Sequence, residues 1–198
     1  MPEVLVCGGL PRSATTYIYN ELRNHENVFR SVVKESFLFE RSDRFIDWKL
    51  SQLNSGKIYL DFTPEYIFNK ASLKKISDRK IKCFFVLREF ESYRASLEKY
   101  LAMNSIKNDL LERPDRETFQ AATRYAADHF PTIAFDEISK VDIAIVLGEM
   151  FGFDLGRKLG SADVRNASSE RQHFTKALIH NRLAGIQRYA TSLAFGLI

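Results

Sequence analysis

The sequence has few of the features that mark secreted, membrane-spanning or metal-binding proteins. It contains two cysteines, Cys7 and Cys83. Each lies in or beside an apolar run, so we expect buried free thiols in a reducing compartment and no metal site. No apolar run approaches the roughly 20 residues that cross a bilayer. No secretory signal precedes the first apolar segment either, so we expect a cytoplasmic protein without a membrane span.

The charge balance is only mildly basic. Lysine and arginine total 29 against 25 acidic residues, a formal charge of +4, which fits ordinary solubility or an anionic ligand. No dense basic run is present, so we expect no nucleic-acid partner. Sixteen Phe and eight Tyr in a chain of 198 residues can fill one sizeable core, which predicts a single domain spanning residues 1–198.

Short apolar runs alternate with helical stretches along the chain. The predicted strands are Val4–Cys7, Phe29–Val33, Ile58–Phe62, Cys83–Leu87 and Thr132–Phe135. The predicted helices are Thr15–Asn24, Phe37–Leu53, Glu65–Ser77, Glu89–Met103, Arg116–His129, Val141–Phe151 and Arg171–Leu193. This alternation predicts an α/β fold with a central parallel sheet between two layers of helices. Because ligands of such sheets bind beyond the carboxyl ends of the strands, the residues after each strand are candidates for a site.

The loop after the first strand is of the kind that binds phosphate. Gly8 and Gly9 lead into a turn, and hydroxyl residues open the next helix. A strand–loop–helix of this form directs backbone N–H groups and the positive end of a helix dipole at one point. The Walker pattern G-x-x-x-x-G-K-S/T, started at Gly9, would need glycine at Ala14 and lysine at Thr15. The kinase lysine is therefore missing, while a cation, Arg12, stands three residues before Thr15.

The stretch Pro11–Tyr17, which reads PRSATTY, resembles the 5′-phosphosulfate loop of sulfotransferases, usually PKSGTTW. These enzymes use the sulfuryl donor 3′-phosphoadenosine-5′-phosphosulfate, PAPS. The resemblance implies that the two threonines hold the 5′-phosphate and that Arg12 lies near the sulfuryl group, where a fixed cation stabilises the departing oxygen. Ala14 replaces the usual glycine. The residues assigned to the donor are Arg12, Ser13, Ala14, Thr15 and Thr16.

A second motif follows the strongest predicted strand. Arg88 ends that strand and Ser96 lies eight residues later, the spacing at which the same family binds the 3′-phosphate of its nucleotide. An arginine can form paired hydrogen bonds to phosphate; the alternative is an ion pair with a surface acid. The usual proline of this motif is absent, since Glu89 and Phe90 follow Arg88. The segment Arg165–Arg171 occupies the place of the family's late loop over the nucleotide. We assign Arg171 to the donor as well, with Arg165 as the alternative.

Lys34 and Glu35 are the further catalytic candidates. They lie between the two phosphate motifs and resemble the Lys-Glu-x-x-x-Phe stretch of heparan-type carbohydrate sulfotransferases, in which the glutamate is the general base. The resemblance implies that Glu35 accepts a proton from the acceptor, while Lys34 and Arg12 assist the departing phosphate. The alternative is a solvated helix start with Glu35 in its first turn. The four histidines lie outside the Lys-Thr-His context of the aryl and steroid branch, so no histidine base is expected.

The segment Asp61–Tyr66, which reads DFTPEY, resembles the Lys-Ser/Thr-Pro-x-Tyr stretch on the acceptor side of the family. We interpret Thr63 as the N-cap and Pro64 as the first residue of a helix. Asp61 is a further candidate for binding the acceptor.

Together the motifs imply a PAPS-dependent sulfotransferase, closest in its motifs to carbohydrate, heparan-type and bacterial members. It would transfer a sulfuryl group to a hydroxyl or amine of a carbohydrate-like or small-molecule acceptor, without a metal. Two alternatives stay open: a P-loop nucleotide kinase or NTPase, and a catalytically silent nucleotide-binding protein of the same fold. The sequence specifies neither the acceptor nor the oligomeric state.

Overall fold

The computed structural model describes residues 3–31, 33–53, 56–103 and 114–159. Its four strands are β1 (Glu3–Cys7), β2 (Ile58–Asp61), β3 (Lys82–Leu87) and β4 (Thr132–Ala134). They form one sheet in the order β2-β1-β3-β4, and every neighbouring pair is parallel. The predicted parallel sheet is confirmed, and β1, which leads into the predicted phosphate loop, lies in its interior.

Helices cover both faces of this sheet. They are α1 (Thr15–Leu22), α2 (Asp43–Ser51), α3 (Lys70–Asp78), α4 (Phe90–Met103), α5 (Arg116–His129) and α6 (Ile143–Phe151). Successive strand residues point to opposite faces. Leu5 and Phe84 therefore pack with α1 and α6, whereas Val6 and Phe85 pack with α2 to α5. The predicted three-layer α/β/α architecture is confirmed.

The predicted strand Phe29–Val33 is wrong. The N–H of Phe29 donates to Ile58 O on β2 (2.9 Å). Just after the segment, the carbonyl of Lys34 accepts the N–H of Phe62 (2.9 Å). Between these two bonds the hydroxyl of Ser31 bonds the carbonyl and the N–H two residues further on. Because a serine side chain that bonds nearby backbone competes with the strand ladder, this segment follows the edge of β2 without forming a fifth strand.

Two predicted helices, Phe37–Leu53 and Glu65–Ser77, are each divided into a 3₁₀ helix and an α-helix. The 3₁₀ helices are Leu38–Glu40 and Pro64–Phe68. Ser42 and Asn69 then cap α2 and α3, each accepting an N–H three residues on. A side chain that satisfies these N–H groups starts a new helix at that residue. The other helices described agree with prediction within two residues at each end, and α5 has the predicted bounds.

Some predictions concern the whole chain. Both cysteines are free and buried, and burial raises the pKa of Cys7 to about 12. No helix in the described ranges is long and apolar enough to cross a membrane. The predicted helix Arg171–Leu193 lies outside the described residues, and the single domain spanning residues 1–198 stays a prediction.

Candidate functional site

The loop after β1 is anchored on both sides by backbone hydrogen bonds. Leu10 N–H donates to Val86 O (2.9 Å), and Val86 N–H donates to Gly9 O (2.7 Å). On the other side, Ile67 N–H donates to Gly8 O (2.7 Å). A Cβ at Gly9 would lie 2.7 Å from Ile67 Cβ, so this close approach requires glycine. The path of the loop is therefore fixed by its neighbours.

The start of α1 presents unfilled hydrogen-bond donors. Its N-cap residue, Ala14, has φ 58° and provides no side-chain cap. Ser13 is fully buried, and its hydroxyl has no hydrogen-bond partner. Thr15 and Thr16 are the first two helical residues, and N–H groups in this first turn have no intrahelical partner. Buried polar groups normally find partners, so the arrangement favours an anionic ligand at the predicted 5′-phosphate position.

Lys34 joins this helix start to Glu35. Its ammonium nitrogen Nζ donates to Thr15 Oγ1 (3.3 Å) and lies 2.8 Å from Glu35 Oε1. The Lys34 side chain is 19% exposed and that of Glu35 is 37% exposed. The carboxylate is thus accessible to a ligand while the ammonium is held beside the loop. A cation from another segment reaches Thr15, the position at which the Walker pattern has its lysine.

Side chains at the end of β2 bind the segment that follows Glu35. Three N–H groups donate to them: Ser36 to Asp61 Oδ1 (3.3 Å), Phe37 to Thr63 Oγ1 (3.2 Å) and Phe39 to Tyr66 Oη (3.0 Å). Asp61 also accepts hydrogen bonds from the hydroxyls of Thr63 (2.6 Å) and Tyr66 (2.8 Å). Since Asp61 is only 3% exposed, it is not available to an acceptor. As predicted, Thr63 is the N-cap residue and Pro64 the first residue of the 3₁₀ helix, although the Thr63 hydroxyl makes no capping bond.

Arg88, at the end of β3, is held by three contacts. Its Nε donates to Ser92 Oγ (2.8 Å), and its Nη1 donates to Arg12 O (2.9 Å). The guanidinium carbon lies 4.1 Å from the centroid of the Phe135 ring. Burial lowers the pKa of Arg88; the charge of Asp136 opposes this shift and that of Arg12 adds to it. The side chain is thus fixed at the carboxyl edge of the sheet, next to the phosphate loop.

Ser96 and Arg12, which are also assigned to the donor, lie on or beside α4. Ser96 lies on α4 one turn beyond Ser92, and Ser92 makes the bond to the guanidinium described above. Arg12 is exposed, has φ 62° and lies with its guanidinium carbon 4.4 Å from the centroid of the Tyr100 ring on α4. Arg171 lies outside the described residues, so its role stays a prediction.

Glu65 is a further acid near the site that the sequence motifs do not indicate. It lies in the first turn of the 3₁₀ helix Pro64–Phe68, and its Oε2 is buried without a hydrogen-bond partner. Burial, and then repulsion from Glu35, raise the pKa of Glu65 to about 7, against the opposing charge of Lys34. The sequence signal is an acid directly after Thr-Pro. The same pattern is typical of an exposed helix start, so it does not reveal a buried carboxyl.

This arrangement can bind two anionic groups and accept a proton. The start of α1 with Lys34 suits one anion, Arg88 suits a second, and Glu35 offers an accessible carboxylate between them in sequence.

The two histidines in the described ranges are engaged with the backbone. His25 and His129 each place Nδ1 against a backbone carbonyl, at 3.0 and 2.9 Å. Within the described residues, no group of three or more His, Cys, Asp or Glu side chains is arranged to hold a metal.

The fold has a relative among solved structures. The chain is similar to the crystal structure of a sulfotransferase from Alicyclobacillus acidocaldarius, with 15% sequence identity and a TM-score of 0.57. The match covers 91% of this chain and 96% of that chain. No protein-family model and no curated protein sequence matches the chain. At this identity the similarity shows a shared fold, and the function has to be argued from the site.

Proposed function

We propose that this chain is a PAPS-dependent sulfotransferase acting on a hydroxyl or amine of a carbohydrate-like or small-molecule acceptor. The observation that carries the proposal is the position of Lys34, whose ammonium contacts both Thr15 Oγ1 and the Glu35 carboxylate. It joins a helix start suited to phosphate to a carboxylate suited to act as a base. The sulfotransferase fold of the relative from Alicyclobacillus acidocaldarius agrees with this interpretation.

The residues at the start of α1 fit the 5′ side of the donor. PAPS would supply the sulfuryl group and a phosphate leaving group. The N–H groups of Thr15 and Thr16 lack intrahelical partners, and the buried Ser13 hydroxyl lacks any partner. A phosphate oxygen would satisfy both, with the positive end of the α1 dipole adding attraction. Lys34 supplies the adjacent positive charge.

Arg88 fits the 3′-phosphate. Its guanidinium is already oriented by Ser92, by the carbonyl of Arg12 and by the ring of Phe135. Two of its nitrogens bond to protein acceptors, and the planar group can present its remaining donors to a phosphate. In this proposal Ser96, one turn beyond Ser92, adds a hydroxyl to the same phosphate.

The chemistry assigned to the chain is proton transfer and charge stabilisation. Glu35 accepts the proton of the acceptor hydroxyl or amine as the oxygen or nitrogen attacks sulfur. Lys34, with Arg12 as a second cation, stabilises the charge that builds on the departing phosphate oxygen. Because a sulfuryl group carries less charge than a γ-phosphoryl group, we propose a reaction that needs no magnesium.

Calorimetric titration of adenosine 3′,5′-bisphosphate, the product nucleotide, tests the proposal on the intact protein in buffer containing EDTA. We expect tight binding that Arg88→Ala weakens about 10- to 100-fold, since a hydrogen bond to a charged group contributes about 1.5–3 kcal/mol. Arg94→Ala is the matched control, because Arg94 is exposed and pairs with Glu98 on the same helix. Absence of binding would refute the proposal, and binding of Mg-ATP instead, in a parallel titration without EDTA, would favour the kinase alternative.

A further inference from the structure

The backbone on both sides of Glu35 is tied to the end of β2. The carbonyl of Lys34, the preceding residue, accepts the N–H of Phe62 (2.9 Å). The N–H of Ser36, the following residue, donates to Asp61 Oδ1 (3.3 Å). Two consecutive residues of one segment therefore fix the main chain immediately before and after the candidate base.

The turn after Glu35 is held by two hydroxyls that Asp61 orients. Phe37 has φ 50°, a left-handed conformation that costs a non-glycine residue about 1–2 kcal/mol. Its N–H donates to Thr63 Oγ1 (3.2 Å), and that hydroxyl donates to Asp61 Oδ1 (2.6 Å). The Tyr66 hydroxyl makes an equivalent pair of bonds two residues further along the segment. It accepts the Phe39 N–H (3.0 Å) and donates to Asp61 Oδ2 (2.8 Å). Each hydroxyl proton points to Asp61, which leaves an oxygen lone pair free for the segment.

We propose that Asp61, Thr63 and Tyr66 are positioning residues for Glu35. The proposal rests on the function proposed above, in which Glu35 is the base. A base must lie within hydrogen-bond reach of the proton that it removes, and a displacement of about 1 Å can cost about 100-fold in rate. Glu35 and its ion-pair partner Lys34 are consecutive residues of the segment that this network holds. The position of the Glu35 carboxylate relative to the donor site therefore depends on the backbone of that segment.

Thr63 offers the cleanest test because two substitutions separate its hydroxyl from its shape. Thr63→Val keeps the branched side chain and removes the hydroxyl, whereas Thr63→Ser keeps the hydroxyl. With PAPS and an acceptor, we expect Thr63→Val to lower kcat about 10-fold or more, because the base is misplaced. Its Kd for adenosine 3′,5′-bisphosphate should stay within about twofold, and Thr63→Ser should restore most of the turnover.

Amide hydrogen exchange provides a measurement that needs no acceptor. We expect the Phe37 N–H to exchange about 10-fold faster or more in Thr63→Val and to keep its protection in Thr63→Ser. The Leu73 N–H, which donates to Asn69 O in α3 (3.0 Å), is the internal reference. Tyr66→Phe repeats the test at Phe39 with a second variant, in which the ring can keep its packing.

The outcomes separate this proposal from the one on which it rests. Unchanged exchange at Phe37, a loss of nucleotide affinity as large as the loss of kcat, or failure of Thr63→Ser to restore turnover overturns the positioning role alone. Failure of the wild-type chain to bind adenosine 3′,5′-bisphosphate overturns the proposed function and this inference with it.

Discussion

Asp61, the last residue of β2, and Glu65, in the 3₁₀ helix that follows, are two acids with different surroundings. Asp61 is 3% exposed, and its oxygens accept hydrogen bonds from a backbone N–H and two hydroxyls. Glu65 also carries a buried oxygen, Oε2, but this atom has no hydrogen-bond partner. The neighbouring acids Glu35 and Glu40 add repulsion.

Burial raises the pKa of both acids. At Asp61, hydrogen bonds from Thr63, Ser36 and Tyr66 act against that shift. At Glu65, a bond to its own backbone and the charge of Lys34 act against it, while Glu35 and Glu40 add to it. An ionised carboxylate with donors stabilises the fold, whereas one without them destabilises it. Asp61 therefore belongs to the scaffold of the site. The charge of Glu35 disfavours the ionised form of Glu65, and perturbed acids of this kind are common at functional sites.

Asp61→Ala should have the largest effect, because it removes the shared acceptor of two buried hydroxyls and one partly buried N–H. We expect the free energy of unfolding to fall by about 3–5 kcal/mol, since each buried donor left unpaired costs about 1–3 kcal/mol. Urea denaturation measures this. Asp78→Ala, at an exposed acid of α3 paired with Lys74, is the control and should leave stability within error. Equal effects of the two substitutions would break the comparison.

Glu35→Gln extends the comparison to the acid assigned to the chemistry. Its side chain is 37% exposed, so we expect normal folding and an affinity for adenosine 3′,5′-bisphosphate within a few-fold of wild type. Turnover of PAPS with an acceptor should fall about 100-fold or more, the usual contribution of a general base and equal to about 3 kcal/mol in the barrier. A variant that loses nucleotide affinity while keeping kcat contradicts the assignment.

Glu65→Gln should increase stability at alkaline pH. Folding raises the pKa of Glu65 from 4.5 to about 7, so the folded chain holds a proton that the unfolded chain has lost between these values. The stabilising contribution is present below pH 4.5 and is lost as the pH rises through 7. Glutamine resembles the protonated form throughout. We therefore expect a gain of about 2–3 kcal/mol at pH 8 and almost none at pH 4.

Denaturation of wild type and Glu65→Gln at both pH values measures that difference. Glu149→Gln, at an exposed acid of α6, is the matched control for the substitution itself. A constant difference between Glu65→Gln and wild type from pH 4 to pH 8 would show that Glu65 is not a strained buried acid.

Ala14→Gly should have the smallest effect, because it relieves backbone strain at Ala14 and changes no charge. Ala14 has φ 58°, where the Cβ of an L-residue costs about 1 kcal/mol that glycine avoids. We expect unfolding to require about 0.5–1 kcal/mol more than in wild type, measured in urea. Ala121→Gly, at an exposed position inside α5, should change stability by a similar amount in the opposite direction. A loss of stability in both variants refutes the left-handed conformation of Ala14.

The sheet could be predicted from the sequence because β1 and β3 contain continuous apolar runs that are buried on both faces. Likewise α5 follows an N-cap aspartate, Asp115, whose side chain accepts the Thr118 N–H (2.7 Å). The turn at Ser31 and the caps at Ser42 and Asn69 were harder to predict, because these side chains bond the backbone of their own segment and override the apolar pattern.

The candidate site was predictable only in part. Glycine and hydroxyl residues after a strand indicate the phosphate loop, and strand ends indicate where Arg88 lies. The contact of Lys34 with Thr15 depends on how an edge segment crosses the sheet, which no local pattern encodes. The same holds for Asp61 and Glu65, since the Ser36 N–H that bonds Asp61 and the acids that repel Glu65 come from a segment about 25 to 30 residues earlier in the chain.

Sulfuryl transfer by the intact chain is the decisive test of the proposed function. The chain is incubated with PAPS and EDTA against a panel of sugars, lipids, small alcohols and amines, and both products are measured by mass spectrometry. We expect adenosine 3′,5′-bisphosphate and a sulfated acceptor in equal amounts, with little of either from Glu35→Gln. Nucleotide binding without a sulfated product from any acceptor, or equal product from wild type and Glu35→Gln, would contradict the proposed function.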